Sequence, residues 1–171
     1  MVAIKPVGNN PIMSVIDKVC TNKSFYCQKL NDSFYRGAQP NDKQIENLAK
    51  QGIKTILNLR CTSAKDLEKL SKIAEKNGLK YINIPLNPFR VKKSLPYIMD
   101  TINNASKENP LFIHCTYGVD RTGFVSALVN YLKNGMPMKD AIKDMTAHGS
   151  KNPAFLPMKC FLKHFALKNP N

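Results

Sequence analysis

The chain has 171 residues, 43% of them hydrophobic, which suffices for one well-buried core and is too short for two ordinary domains. Its formal charge of +14, from 26 basic against 12 acidic residues, favours polyanionic partners: phosphorylated ligands, anionic membrane surfaces or nucleic acid. No stretch reaches the about 20 apolar residues of a membrane-spanning helix, and the opening MVAIKPVGNNP lacks the apolar core of a signal peptide.

A cytoplasmic chain is therefore expected, with export through a leader missing from this sequence as the alternative. All the basic residues but Arg36, Arg60, Arg90 and Arg121 are lysines. Those four fall at strand ends or in loops, where site or ion-pair chemistry is the natural reading, whereas exposed lysine is ordinary solvated surface. Cys20, Cys27, Cys61, Cys115 and Cys160 are odd in number and lack paired metal-ligand spacing. No metal and no cofactor are expected, and reduced surroundings fit best.

Residues 1–23, broken by Pro6, Gly8 and Pro11 before the apolar run Ile12 to Val19, read as an arm. From 24, SFYCQKL and SFYRG form two short strands joined by the turn formers Asn31 and Asp32. Asn41 or Asp42 caps a helix with Ile45, Leu48 and Ala49 on one side, closed by Gly52. A β-branched strand covers 53–59, an amphipathic helix 63–77, and a strand 80–86. The irregular PLNPFRVKK then leads to a helix from about Ser94 to Lys107. Beyond residue 123 come a largely apolar helix, a second over 138–148, and a last one carrying Phe161, Leu162 and Phe165. Strands alternating with helices predict an α/β domain with a central, mainly parallel sheet flanked by helices.

One stretch concentrates the chemistry. In PLFIHCTYGVDRTG, residues 110–123, Leu111 to Ile113 suit a buried strand, and Cys115 falls at its C-terminal end, the edge where α/β sheets bind ligands. The five residues between Cys115 and Arg121 curl so that the amides of Thr116, Tyr117, Gly118 and Val119 make an anion-sized nest over a helix N-terminus. Such a position among cationic neighbours favours a thiolate, so Cys115 is expected as the nucleophile. Arg121 offers a planar fork for two phosphoryl oxygens. Thr122 donates its hydroxyl to the sulfur, His114 orients the loop and helps keep the thiolate, and Gly118 and Gly123 permit tight turning and close helix approach. A strand, loop and helix holding a buried structural thiol is the alternative reading of the same spacing.

The run His114, Cys115, Gly118, Arg121, Thr122, Gly123 resembles the cysteine-dependent phosphatase signature. The FYRGAQP entry and the GIKTILNLR strand resemble the small bacterial and atypical members of the dual-specificity-like tyrosine phosphatases, the likeness running from about Phe34 to Met145. That resemblance implies a metal-independent phosphatase domain over 24–171, a phosphorylated cysteine intermediate on Cys115, and phosphotyrosine or phosphoprotein substrates. A phosphoinositide or inositol (pyro)phosphate is the second substrate class, and a catalytically weak phosphate-binding module the alternative of another kind. Sulfur transfer of the rhodanese type and nucleic-acid binding find no further support. A monomer is expected.

Such enzymes carry an Asp about thirty residues before the cysteine as general acid. Here no acidic residue lies between Glu75 and Asp100. Asp120 is the nearest candidate, and its Asp-Arg-Thr triplet is similar to that of myotubularin-type and Sac-type phosphoinositide phosphatases. Its alternative role is an ion pair fixing Arg121 or another arginine. Arg90, Lys92 and Lys93, following the 80–86 strand, are expected to rim the pocket, and the resemblance suggests Cys61 as a resolving thiol for an oxidised Cys115.

Overall fold

The computed structural model describes residues 26–170; the arm expected over 1–23 lies outside them. Strand β1 (Cys27–Asn31) turns back antiparallel on β2 (Phe34–Gly37). Then follow helix α1 (Asp42–Lys50), β3 (Thr55–Asn58), α2 (Ala64–Lys76), β4 (Lys80–Asn83), α3 (Val91–Asn103), β5 (Leu111–His114), α4 (Asp120–Asn134), α5 (Met138–Ala147) and, after a short 3-10 turn, α6 (Leu156–Lys168). The five strands lie in the order β1-β2-β5-β3-β4, all neighbours but β1 and β2 being parallel. The strand leading to Cys115 is thus the middle one.

Alternation along the strands builds a core on each face of this sheet. Phe34, Leu57, Leu111 and Ile113 pack with Ile98, Ile102 and the buried face of α4, while Tyr35, Ile56 and Phe112 pack with Ile45, Leu48 and Ala74 of α1 and α2. Local signals start the helices where expected. Asn41 forms a capping box with Gln44, and Ser63 accepts from the amide of Asp66; each satisfies amides that would otherwise go unpaired.

Two elements differ in their bounds from expectation. Helix α3 begins at Val91, not Ser94, and ends at Asn103, with Pro96 inside it; Val91 is 4% exposed in the main core, so tertiary burial outweighs the proline's lost hydrogen bond. Strand β4 ends at Asn83 rather than 86, and there Asn83 Nδ2 donates to the carbonyls of Asn58 and Arg60, both at 2.9 Å, tying the β3 and β4 exits together. Among the described residues Cys61, Cys115 and Cys160 are free thiols.

Candidate active site

The loop from Cys115 to Val119 connects β5 to α4 above the C-terminal sheet edge. Its shape is imposed from outside. The scaffold binds three of its carbonyls: Gln39 N donates to Thr116 O at 3.1 Å, Arg36 Nη2 to Gly118 O at 3.0 Å, and His114 Nδ1 lies 3.3 Å from Cys115 O. With the carbonyls drawn outward, the amides are left to the concave side. Among the described residues, the amides of residues 116–122 donate to no protein acceptor. The N-cap of α4 is Val119, whose side chain cannot accept from them. The result is an uncapped helix N-terminus beneath a ring of free N–H groups, the arrangement that binds a phosphate.

Gly118 makes the curl possible. Its φ is +73°, and a Cβ there would lie 2.5 Å from the backbone of Gly37 at the end of β2; both facts demand glycine. Gly123 serves packing instead, since a Cβ on it would meet Met145 Cγ of α5 at 2.8 Å.

Cys115 is 4% exposed at the base of the loop. Arg121 is set by two contacts that leave its terminal nitrogens unused: Nε donates to Leu86 O at 2.9 Å, and the guanidinium lies 5.5 Å from the Phe155 ring centroid. A bidentate fork so held can grip two equatorial phosphoryl oxygens. Thr122 is buried, its Oγ1 without a hydrogen-bond partner. The expected bond to sulfur is not formed in this geometry, and the orphaned hydroxyl is free to turn toward an anion.

His114 acts by position and not by charge. It is fully buried, stacked on Phe112 (centroids 6.1 Å apart, 27° between planes) and tilted against Tyr81. Burial pulls its pKa down to about 4, so the ring is neutral at physiological pH and lends no positive charge to a thiolate. What it supplies is the contact to the Cys115 carbonyl. Burial also drives the neighbouring Tyr81 phenol up to about 12.

The cation under the loop is Arg36, a residue the motif does not contain. It sits on the α4 side of β2 with no exposed surface, donates to Gly118 O, and faces Asp144 of α5 at 3.9 Å. Asp144 also holds His148 at 3.3 Å. Burial lowers the Arg36 pKa, while Tyr26, Asp144 and Cys115 act in the opposite sense; an arginine stays charged throughout. Its signal in the sequence was indirect, an arginine at a strand end in FYRG.

Asp120 opens α4, half-buried, and its Oδ1 accepts from Ser150 Oγ at 2.8 Å. Among the described residues it makes no ion pair with any arginine, so the ion-pair alternative does not hold. Arg90, Lys92 and Lys93 are exposed, at the start of α3. Arg90 and Lys93 line a groove between α3 and β4. Cys61 is exposed on the loop after β3, whose last residue pairs with His114. Tyr117 is 77% exposed at the cradle mouth. No group of residues that could hold a metal occurs among those described.

A parallel sheet ending in a cysteine, a nest of free amides and an arginine from the following helix define a cysteine-based phosphatase fold and site. The chain belongs to the PTP-NADK family, described as DSP-PTPase phosphatase fused to NAD+ kinase, which matches residues 11–159. It is 22% identical over 122 residues, 71% of its length, to the dual specificity protein phosphatase TpbA of Pseudomonas aeruginosa, and spans about half (53%) of that relative. The fold is similar to the crystal structure of P. aeruginosa TpbA (TM-score 0.67, 18% identity, covering 84% of this chain and 87% of the other) and to that of TpbA in complex with pTyr (0.63, 16%, 87% and 99%). It is also similar to kinase associated phosphatase (0.62, 17%, 79% and 86%).

Proposed function

We propose that this chain hydrolyses phosphomonoesters, with phosphotyrosine and phosphoprotein as its substrate class, through a phosphorylated cysteine. The observation that carries this reading is the outward anchoring of the loop carbonyls, which turns the free amides over Cys115 into a dianion site. The family membership and the pTyr complex of TpbA support it.

In the first step Cys115 Sγ, as thiolate, attacks phosphorus; the S–P bond forms as the P–O bond to the leaving group breaks, and the leaving oxygen takes a proton. The loop amides and the Arg121 fork hold the equatorial oxygens while charge moves in line, an electrostatic contribution that costs no reorganisation because the groups are already placed. In the second step water attacks phosphorus, the S–P bond breaks, and inorganic phosphate leaves with the thiolate restored. Asp120 is the candidate donor of the first proton and acceptor of the second. A phenol is a good leaving group and needs this help least, which favours phosphotyrosine for a chain with no acid between Glu75 and Asp100.

The test is turnover of p-nitrophenyl phosphate and of a phosphotyrosine peptide by the wild type and by Arg121→Lys. The lysine keeps the charge and loses the bidentate fork, so turnover of both substrates should collapse. Wild-type-like rates in Arg121→Lys would overturn the assigned role.

A further inference from the structure

Among the described residues β4 has a neighbour on one side only. Successive residues of a parallel strand direct their backbone groups to opposite sides. The amides of Lys80 and Ile84 donate toward β3, to Lys54 O at 2.9 Å and Asn58 O at 3.0 Å. The N–H and C=O groups of Tyr81 and Asn83 therefore point to the open edge. An edge of this kind is ordinarily covered or paired.

Helix α3 stands over that edge without closing it. Arg90, Lys93, Tyr97 and Thr101 recur at three- and four-residue intervals and so share one stripe, and they face Ile82 and Asn83 across a groove of about 770 Å³. The lining of this groove runs along the strand from Lys80 to Pro85, and a further cavity of about 220 Å³ continues from it across the sheet toward Thr55, Asn109 and Leu111. At about 3.3 Å per residue, the stretch from Lys80 to Pro85 has room for an added strand of roughly five or six residues.

The charge at one end says what that strand carries. Arg90 is the N-cap of α3, Lys92 and Lys93 lie in its first turn, and no acidic residue joins them there. The helix dipole disfavours cations at this end, and none of the three makes an ion pair among the described residues. They are left for an external anion. The same end of the groove is formed by the loop whose Leu86 carbonyl receives Arg121 Nε, so a chain lying there continues toward the cradle.

We propose that the groove between β4 and α3 binds an extended acidic segment of the phosphoprotein substrate, which adds to the sheet through Tyr81 and Asn83 and sets its carboxylates against Arg90 and Lys93. The proposal rests on the phosphatase reading only for the word substrate. The edge, the groove and the charges stand independently of turnover.

The test uses the Cys115→Ser chain and a fluorescein-labelled, non-phosphorylated peptide of alternating valine and glutamate, read by anisotropy. Binding is expected, and Lys93→Glu combined with Tyr97→Glu should weaken it by about tenfold or more; both positions are exposed, so the fold is kept. In the active chain the same double variant should leave p-nitrophenyl phosphate turnover unchanged and raise KM for a phosphotyrosine peptide bearing the acidic extension. Absent binding, equal binding of a valine-lysine peptide, or an unaltered affinity in the double variant would overturn the proposal. So would a wild-type dimer dissociated by the double variant, which would assign the groove to a second copy of the chain. Peptide binding by a wild type that hydrolyses no phosphomonoester would leave the groove standing and refute the phosphatase reading.

Discussion

Acidifying the protein should destabilise it through His114 in particular. The ring is fully buried, and its pKa is lowered to about 4, chiefly by desolvation of the charged form, against about 6.5 for the unfolded chain. Between these values the unfolded state binds a proton that the folded state refuses, so stability rises with pH across the window. The contribution is complete above pH 6.5 and is lost as pH falls toward 4. A gap of about 2.5 units at about 1.36 kcal/mol each amounts to roughly 3 kcal/mol, a large share of the 5–15 kcal/mol typical of a domain. Urea unfolding at several pH values between 7.5 and 4.5 reads the slope, and His114→Gln, which does not titrate, isolates the share of this one ring. Wild type should lose roughly 3 kcal/mol more than His114→Gln over the full window, and the imidazole should titrate near pH 4 by NMR. Parallel pH profiles, or an imidazole midpoint near the ordinary value, would refute the assignment of a neutral, buried ring that acts through the Cys115 carbonyl alone.

Asp120→Asn should slow alkyl phosphates by about 10² to 10⁴ and spare activated aryl phosphates, since only the former need a proton on the leaving oxygen; equal losses on both would make Asp120 a positioning residue acting through Ser150. Arg36→Met removes a buried charge-assisted bond to Gly118 O and should cost about 2–4 kcal/mol, or roughly 4–16 °C of melting temperature in a domain of this size, with a raised KM for phosphate esters. An unchanged melting curve and KM would show that the loop keeps its shape without it. Mild peroxide should join Cys61 to Cys115, the exposed thiol resolving the oxidised nucleophile; mass spectrometry finding only overoxidised Cys115 would reject the pairing.

The cradle was legible because its chemistry is local. Cys115, Gly118, Arg121 and Thr122 lie within one strand, loop and helix, and glycine at 118 stands where a positive φ and a backbone contact both require it. What holds the cradle was not legible, since Arg36 lies 82 positions from Gly118 and Ser150 lies 30 from Asp120, and only the fold joins them. The protonation of His114 was not legible for a related reason: burial between Phe112 and Tyr81 decides it, and burial is a tertiary property. The start of α3 was not legible either: PLNPFRVKK reads locally as an irregular loop, whereas the burial of Val91 brings the helix forward to that residue.

Covalent catalysis by Cys115 is most directly tested by rapid acid quench during turnover of p-nitrophenyl phosphate, followed by mass spectrometry of the peptide containing residue 115. The loop geometry predicts a phosphoryl group on Cys115 that accumulates within the first turnover, disappears when substrate is exhausted, and is absent from Cys115→Ser, which should bind phosphate analogues yet turn nothing over. Sustained hydrolysis with no adduct on Cys115, or hydrolysis retained by Cys115→Ser, would contradict it.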